Sequence, residues 1–297
     1  MGRVQPCGET GMITITAPAK INLTLEVLGK RPDGYHEIRS IMQTLSLADN
    51  ISFENSAELL LGSDSPEWSG DKSLVSKTVA LLKERTGAGG GASIFVRKRI
   101  PLLSGLGGDS SDAASTLIGL NRLWRLGMDR SDLATIGKEL GSDVAFFFLG
   151  GTVLSSGRGE TVEPLPEATH EWILLALPAV PRLPGKTRSL YQALRPNHYT
   201  DGEITRNAER DVKAGRPTRE LDLFNAFENV AFVVQPELEV ARQHILKMGA
   251  PNVHLAGSGP TLYVVCESRA QAEDLSKRLE GQHIWSYAAE TLPAQHE

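Results

Sequence analysis

The stretch Pro101-Leu102-Leu103-Ser104-Gly105-Leu106-Gly107-Gly108-Asp109-Ser110-Ser111 brings three glycines and three serines together between an alternating apolar run and a helical one. Residues of these types suit an anion of the phosphate class. Glycine lets backbone N–H groups approach an oxyanion without a Cβ in the way. The first turn of the helix that follows offers unpaired donors and the positive end of its dipole. Ser110 and Ser111 add hydroxyls able to touch a phosphate or a magnesium ion. Taken alone, such a cluster reads more readily as a surface loop whose Ser or Asp caps a helix. Two familiar phosphate motifs are excluded. The Walker pattern ends in Gly-Lys-Ser/Thr, and this loop has no lysine. A Gly-x-Gly-x-x-Gly frame begun at Gly105 puts Ser110 where a dinucleotide fold needs glycine.

The elements that must hold this loop show in the hydrophobic periodicity. Every odd position from Ile13 through Ile15, Ala17, Ala19, Ile21, Leu23 and Leu25 to Val27 is apolar, which predicts a strand, with Pro18 splitting it into two segments. Lys20 and Asn22 then project from the same face. Arg31-Pro32-Asp33-Gly34 has its residues in turn order, so Tyr35 and His36 leave a tight turn. Residues 51–61 predict a strand, 73–85 a helix, 87–91 a flexible connector, and 92–100 a strand running into the glycine loop. Helices follow at 111–124 and at 131–140, the latter capped by Ser131 and closed by Gly141. Pro164 and Pro166 mark 151–166 as a linker between two halves, residues 1–165 and 166–297. The second half predicts a strand at 172–177, a helix at 186–194, a mobile polar loop at 196–220 and helices near 221–233 and 237–248. Strands at 253–256 and 261–265, a helix at 268–279 and a short last strand complete an α+β pattern without internal repeats.

Composition narrows the function class. The 297 residues are 40% hydrophobic and 23% charged, ordinary for a globular protein. A net charge of −5 argues against a sequence-independent nucleic-acid binder, and no apolar run is long enough to span a bilayer. The two cysteines, Cys7 and Cys266, are placed for neither a structural disulfide nor a metal cage. Residues 1–11 lack the apolar stretch of a secretory signal, and Met12 is an alternative start. A cytoplasmic enzyme is the expectation.

Three motifs in order carry a resemblance to the GHMP kinases, the galactokinase, homoserine kinase, mevalonate kinase and phosphomevalonate kinase group. They are Ala17-Pro18-Ala19-Lys20-Ile21-Asn22-Leu23, the loop from Pro101 through Gly105-Leu106-Gly107 and Ser110-Ser111 to Ala113-Ala114, and Leu255-Ala256-Gly257-Ser258-Gly259-Pro260-Thr261. Arg31-Pro32-Asp33-Gly34-Tyr35-His36, Gly141-Ser142-Asp143-Val144-Ala145-Phe146-Phe147 and Asn225-Ala226-Phe227-Glu228-Asn229 bring the chain nearest to one branch. That branch phosphorylates the C2 hydroxyl of a cytidine diphosphate-linked methylerythritol in the non-mevalonate isoprenoid pathway. The resemblance implies a ribosomal S5 domain 2-like N-terminal domain and a ferredoxin-like C-terminal domain, with ATP as phosphoryl donor, Mg2+, and no nucleic-acid or membrane partner, as a monomer or homodimer.

The resemblance also implies roles for residues. Asp143 and Lys20 match the catalytic pair, a carboxylate that accepts the proton of the attacking alcohol and a lysine that neutralises charge beside it. Residues 101–111 match the ATP loop, with Ser110 or Ser111 a candidate magnesium ligand. Gly257, Ser258 and Gly259 match the C-terminal glycine loop. Tyr35 and Tyr191 match aromatics that stack on cytosine, His36 the residue that reads its edge, and Asn22 and Thr187 further substrate contacts. Three departures stand out. Leu103 and Asp109 replace common glycines, with Asp109 expected to cap the helix, and Ser73 stands where an asparagine usually faces adenine. A homoserine- or mevalonate-type kinase, or a non-catalytic nucleotide-binding member of the group, are the alternatives.

Overall fold

The computed structural model describes residues 11–182 and 184–294, so Cys7 and nearly all of the N-terminal leader lie outside the described residues. The first half contains β1 (Ile13–Lys30), β2 (His36–Ser56), β3 (Leu59–Ser63), α1 (Leu74–Thr86), β4 (Gly91–Arg97), α2 (Gly108–Leu123), α3 (Arg130–Leu140), α4 (Phe146–Leu149), β5 (Thr152–Gly157) and β6 (Thr161–Pro164). The second contains β7 (Trp172–Leu177), α5 (Lys186–Ala193), α6 (Glu203–Lys213), β8 (Phe224–Asn225), α7 (Glu228–Val234), α8 (Pro236–Lys247), β9 (His254–Leu255), β10 (Leu262–Cys266), α9 (Arg269–Glu280) and β11 (Trp285–Glu290).

Strand β1 is the spine of the molecule. It pairs along its length with β2, which in turn carries β4 and β5 on its other edge, with β3 beyond β4 and β6 beyond β5. On its far edge β1 takes β8 in parallel, at Thr24 with Phe224 and Leu25 with Asn225, so the second half of the chain completes the sheet of the first. The other sheet is antiparallel in the order β11-β7-β10-β9, the ferredoxin-like arrangement. Residues Ala17 through Val27 are buried on both faces. The odd residues enter apolar cores, whereas Lys20, Asn22, Thr24 and Glu26 are buried although polar. Each of these four has a partner, as buried polar groups require. Thr24 Oγ1 accepts from Ile41 N at 3.0 Å, and Glu26 accepts from Thr205 N at 2.7 Å.

Several expectations about elements are corrected. Pro18 does not split β1; a register shift between Pro18 and Lys20 absorbs the missing N–H, and the strand continues. The strand expected at 51–61 is the end of β2 plus β3, and residues 36–50 also belong to β2. Helix α3 is capped by Asp129, whose side chain accepts from Asp132 N, while Ser131 donates to Asp129. The 151–166 linker is the hairpin β5–β6. The polar stretch 196–220 is built around α6, which docks on the sheet through Thr205 and the 2.7 Å Arg39–Glu209 ion pair. The helix read at 221–233 begins only at Glu228, because Phe224–Asn225 is strand.

Candidate active site

Two glycine loops meet over β1. The first leaves Ile100, turns through Gly105 (φ 87°) and Gly107 (φ 75°), and enters α2 with Gly107 as N-cap. Its Leu106 carbonyl accepts from Lys20 N at 2.9 Å and its Ser104 carbonyl from Thr261 N at 3.1 Å. The second loop closes on itself through Gly259 N to Ala256 O at 2.7 Å. Asn225 braces it, donating to the carbonyls of Leu255 and Gly257 at 2.9 and 2.8 Å, while Glu228 accepts from Leu255 N. The Asn225–Asn229 motif thereby gains a physical purpose: it sets the backbone of the second loop.

Between the loops opens a cleft of about 340 Å³. Lys20 is 5% exposed at its floor, and its Nζ stands 3.2 Å from Asp143 Oδ2 and donates to Asn22 Oδ1 at 2.9 Å. Asn22 donates onward to Ser40 Oγ at 2.8 Å, which fixes the amide's orientation. Asp143 comes from the short 3-10 turn Ser142–Val144 after α3 and keeps 38% of its side chain exposed to the cleft. An ionised carboxylate beside an ammonium and open to solvent is equipped to take a proton from a hydroxyl placed against it.

The cleft also gathers Pro101 through Gly105, Gly107 through Ser110, Thr187, Tyr191, Gly257 and Ser258. Thr187 Oγ1 lies 2.8 Å from Ser258 Oγ, tying α5 to the second loop. Leu106, Ser111, Gly259, Tyr35 and His36 do not line it. Leu106 and Ser111 are buried beneath the loop. The His36 ring stacks on Tyr191, centroids 4.9 Å apart at 17°, and burial, then the Lys30 charge, lower the imidazole's pKa. A neutral ring keeps one donor and one acceptor, the pattern a base edge can pair with. Burial, with the Asp143 charge behind it, raises the Tyr191 phenol, so it stays protonated. Tyr35 is 57% exposed on the rim, with the Arg158 guanidinium 4.7 Å over its ring.

The departures acquire explanations. Leu103 sits at φ 55°, a left-handed conformation that costs a non-glycine residue about 1 kcal/mol, so a glycine would be at ease there. Asp109 does not cap α2, because no side chain does; it is exposed in the first helical turn, where the dipole favours its charge. Ser73 caps α1 by accepting from Ser76 N at 3.2 Å. Among the described residues no group of three or more His, Cys, Asp or Glu could hold a metal ion. A magnesium ion would therefore depend on phosphate oxygens, and Ser110 is the hydroxyl of the expected pair that reaches the cleft.

Sequence reading missed a charged cluster under the first glycine loop. Lys98 Nζ lies 2.6 Å from Asp49 Oδ2 and 2.8 Å from Asp112 Oδ2, all three side chains buried. Burial opposes the ammonium, but the Asp112 and Asp49 carboxylates outweigh it and raise its pKa. One cation between two carboxylates leaves a negative charge over. Asp49 also accepts from the Arg99 and Ile100 amides, whereas Asp112 Oδ1 has no hydrogen-bond partner among the described residues. The surplus therefore falls on Asp112, which burial, with Asp49 adding to it against Lys98, pushes up to about 7. A raised carboxyl holds its proton in the folded chain after the unfolded chain has lost it, so stability falls as pH rises from about 4 towards 7. Asp112→Asn removes this dependence. Its Tm relative to the parent should rise between about pH 5 and about pH 7 and level off above, measured by thermal melts; a difference that does not change with pH would contradict the assignment.

Comparison with known proteins agrees with the geometry. The models of the GHMP kinases N terminal domain and the GHMP kinases C terminal match residues 73–151 and 210–283. A 4-diphosphocytidyl-2-C-methyl-D-erythritol kinase of Dehalococcoides mccartyi is 48% identical over 95% of this chain and 99% of its own. One of Shouchella clausii is 37% identical over 90% of each. A crystal structure of 4-(cytidine 5'-diphospho)-2C-methyl-D-erythritol kinase superposes with a TM-score of 0.80 at 31% identity, covering 94% of this chain and 99% of the other. A homoserine kinase from Cytophaga hutchinsonii, TM-score 0.74 at 17% identity, shares the fold. With both glycine loops, the Lys20–Asp143 pair and these relatives in agreement, the chain belongs to the GHMP kinases, in the 4-diphosphocytidyl-2-C-methyl-D-erythritol kinase family.

Proposed function

We propose that this enzyme transfers the γ-phosphoryl group of ATP to the C2 hydroxyl of 4-diphosphocytidyl-2-C-methyl-D-erythritol, releasing ADP, on the route to isoprenoid precursors in the cytoplasm. The observation that carries this reading is the 3.2 Å Lys20–Asp143 pair in a cleft bounded by both glycine loops. Residues 1–165 would hold the nucleotide, with residues 166–297 covering it. Amides of the first loop and the start of α2 cradle the triphosphate and aim its terminal phosphorus at the pair. Asp143 orients the C2 hydroxyl and takes its proton as the new P–O bond forms. Lys20, held by Asn22, neutralises charge on the transferring group without having to move. Magnesium bound to the phosphates would spread their charge further, with Ser110 within the same cleft.

The cytosine would be met by the stacked His36 and Tyr191 rings and by exposed Tyr35, whose ring packs against the cleft-lining Arg158. Stacking contributes roughly 1–3 kcal/mol per base. Tyr35→Ala should therefore raise KM for the cytidine substrate about tenfold, leaving kcat and KM for ATP close to the parent values. An unchanged substrate KM would assign Tyr35 to the turn alone.

The test of the whole reading is ADP release measured with the cytidine substrate, homoserine and mevalonate in parallel. Turnover is expected with the first only, and phosphorus NMR should find the new ester at C2. Turnover with homoserine or mevalonate but not the cytidine substrate would replace this reading with that of another alcohol kinase.

A further inference from the structure

The charged groups lining the cleft include Lys20, Lys98, Lys186, Arg158, Asp109 and Asp143. Three of the four cations are answered. Lys20 faces Asp143, Lys98 faces Asp49 and Asp112, and Arg158 faces Glu160 at 3.6 Å. Lys186 is different. Its Nζ is buried and has no hydrogen-bond partner among the described residues. Leaving a buried ammonium unpaired is costly, so a position that keeps one is a position that expects an anion.

The surroundings of Lys186 indicate which anion. It is the first residue of α5, after Gly185 in a left-handed cap. Just upstream, Arg182 donates to the Leu102 carbonyl of the phosphate loop at 3.2 Å. Just downstream, Thr187 bonds Ser258 of the second glycine loop. The segment thus bridges the two loops, with its lysine on the wall between them. We propose that Lys186 is a further phosphate-binding residue, donating from Nζ to an oxyanion of a nucleotide diphosphate or triphosphate that lies between the two glycine loops. That phosphate belongs either to ATP or to the cytidine diphosphate part of the substrate. The assignment rests on the kinase reading above for these two sources, and on the cleft itself for the site.

Protonation gives a signature that a packing role would lack. Burial holds the free Lys186 ammonium down to about 8. An anion partner raises it again, so binding at about pH 8 should take up close to half a proton from the buffer. Calorimetric titration of ADP, and separately of CDP, in two buffers of different ionisation enthalpy reads that uptake directly. Lys186→Met should abolish the uptake and weaken the ligand that it holds by roughly ten- to a hundredfold. Lys186→Arg should restore much of the affinity without the uptake, because guanidinium stays charged throughout. A loss confined to ADP assigns the phosphate to the nucleotide, and a loss confined to CDP assigns it to the substrate. Methionine and parent proteins that bind both ligands alike, with equal proton uptake, would overturn the proposal. Should the parent bind ADP yet phosphorylate no cytidine substrate, the substrate reading fails while the Lys186 measurement on ADP still stands.

Discussion

Asp143→Asn is expected to lower kcat by roughly 10²–10⁴-fold, the range that a general base contributes, while the ATP dissociation constant stays within a few-fold of the parent value. The amide keeps the size and most hydrogen-bonding capacity of the carboxylate but cannot take a proton. Lys20 then loses its 3.2 Å counter-charge and keeps the 2.9 Å bond to Asn22, so the lysine stays at the floor of the cleft. In the proposed arrangement nucleotide is gripped by the loop amides, which do not involve Asp143. The split between kcat and nucleotide affinity is what separates a reacting residue from a structural one. Steady-state rates together with calorimetric titration of a non-hydrolysable ATP analogue check it. A kcat within threefold of the parent would move the proton acceptor elsewhere, as expected if the transition state is loose enough to need no base.

Gly105→Ala has the second large effect, and it acts through backbone alone. The residue is at φ 87°, where a Cβ is strained. A Cβ there would also lie 2.2 Å from Ala256 O and 2.8 Å from both Gly259 N and Gly259 O. These are backbone atoms of the opposing glycine loop and cannot swing aside as a side chain would. One of the two loops must back away, breaking the Ser104–Thr261 bond that registers them. Tm should fall by about 5–10 °C, from the 1–2 kcal/mol of conformational strain plus the lost contacts. Nucleotide affinity should fall at least tenfold, because the donors no longer converge. Thermal melts and nucleotide titration test this together. A variant with unaltered Tm and affinity would mean that the two loops do not touch in solution.

The glycine loop and the shared face of Lys20 and Asn22 were legible from the chain because backbone demands leave marks. The turn at Gly105 and Gly107 needs left-handed φ, and only glycine takes it cheaply, so the loop is visible in composition. Lys20 and Asn22 share a face because a strand has period two, and their 2.9 Å bond follows from that spacing. Asp143 is another matter. Nothing local sets it apart from a capping residue, and its identification rested on resemblance.

What periodicity could not convey is which polar residues would be covered. Alternation along β1 reads like a strand with one wet face, yet Lys20, Asn22, Thr24 and Glu26 are all enclosed, because α6 and the glycine loops close over that face from distant parts of the chain while β8 takes the open edge. The same cause hid Lys98 and Lys186. Each looks like an ordinary surface lysine in the chain; one is clamped between carboxylates contributed by β2 and α2, and the other is walled into the cleft. Local preference set the strands, turns and caps of this protein. Burial and charge pairing are properties of residues far apart in the chain, so they came into being only when the two halves packed together.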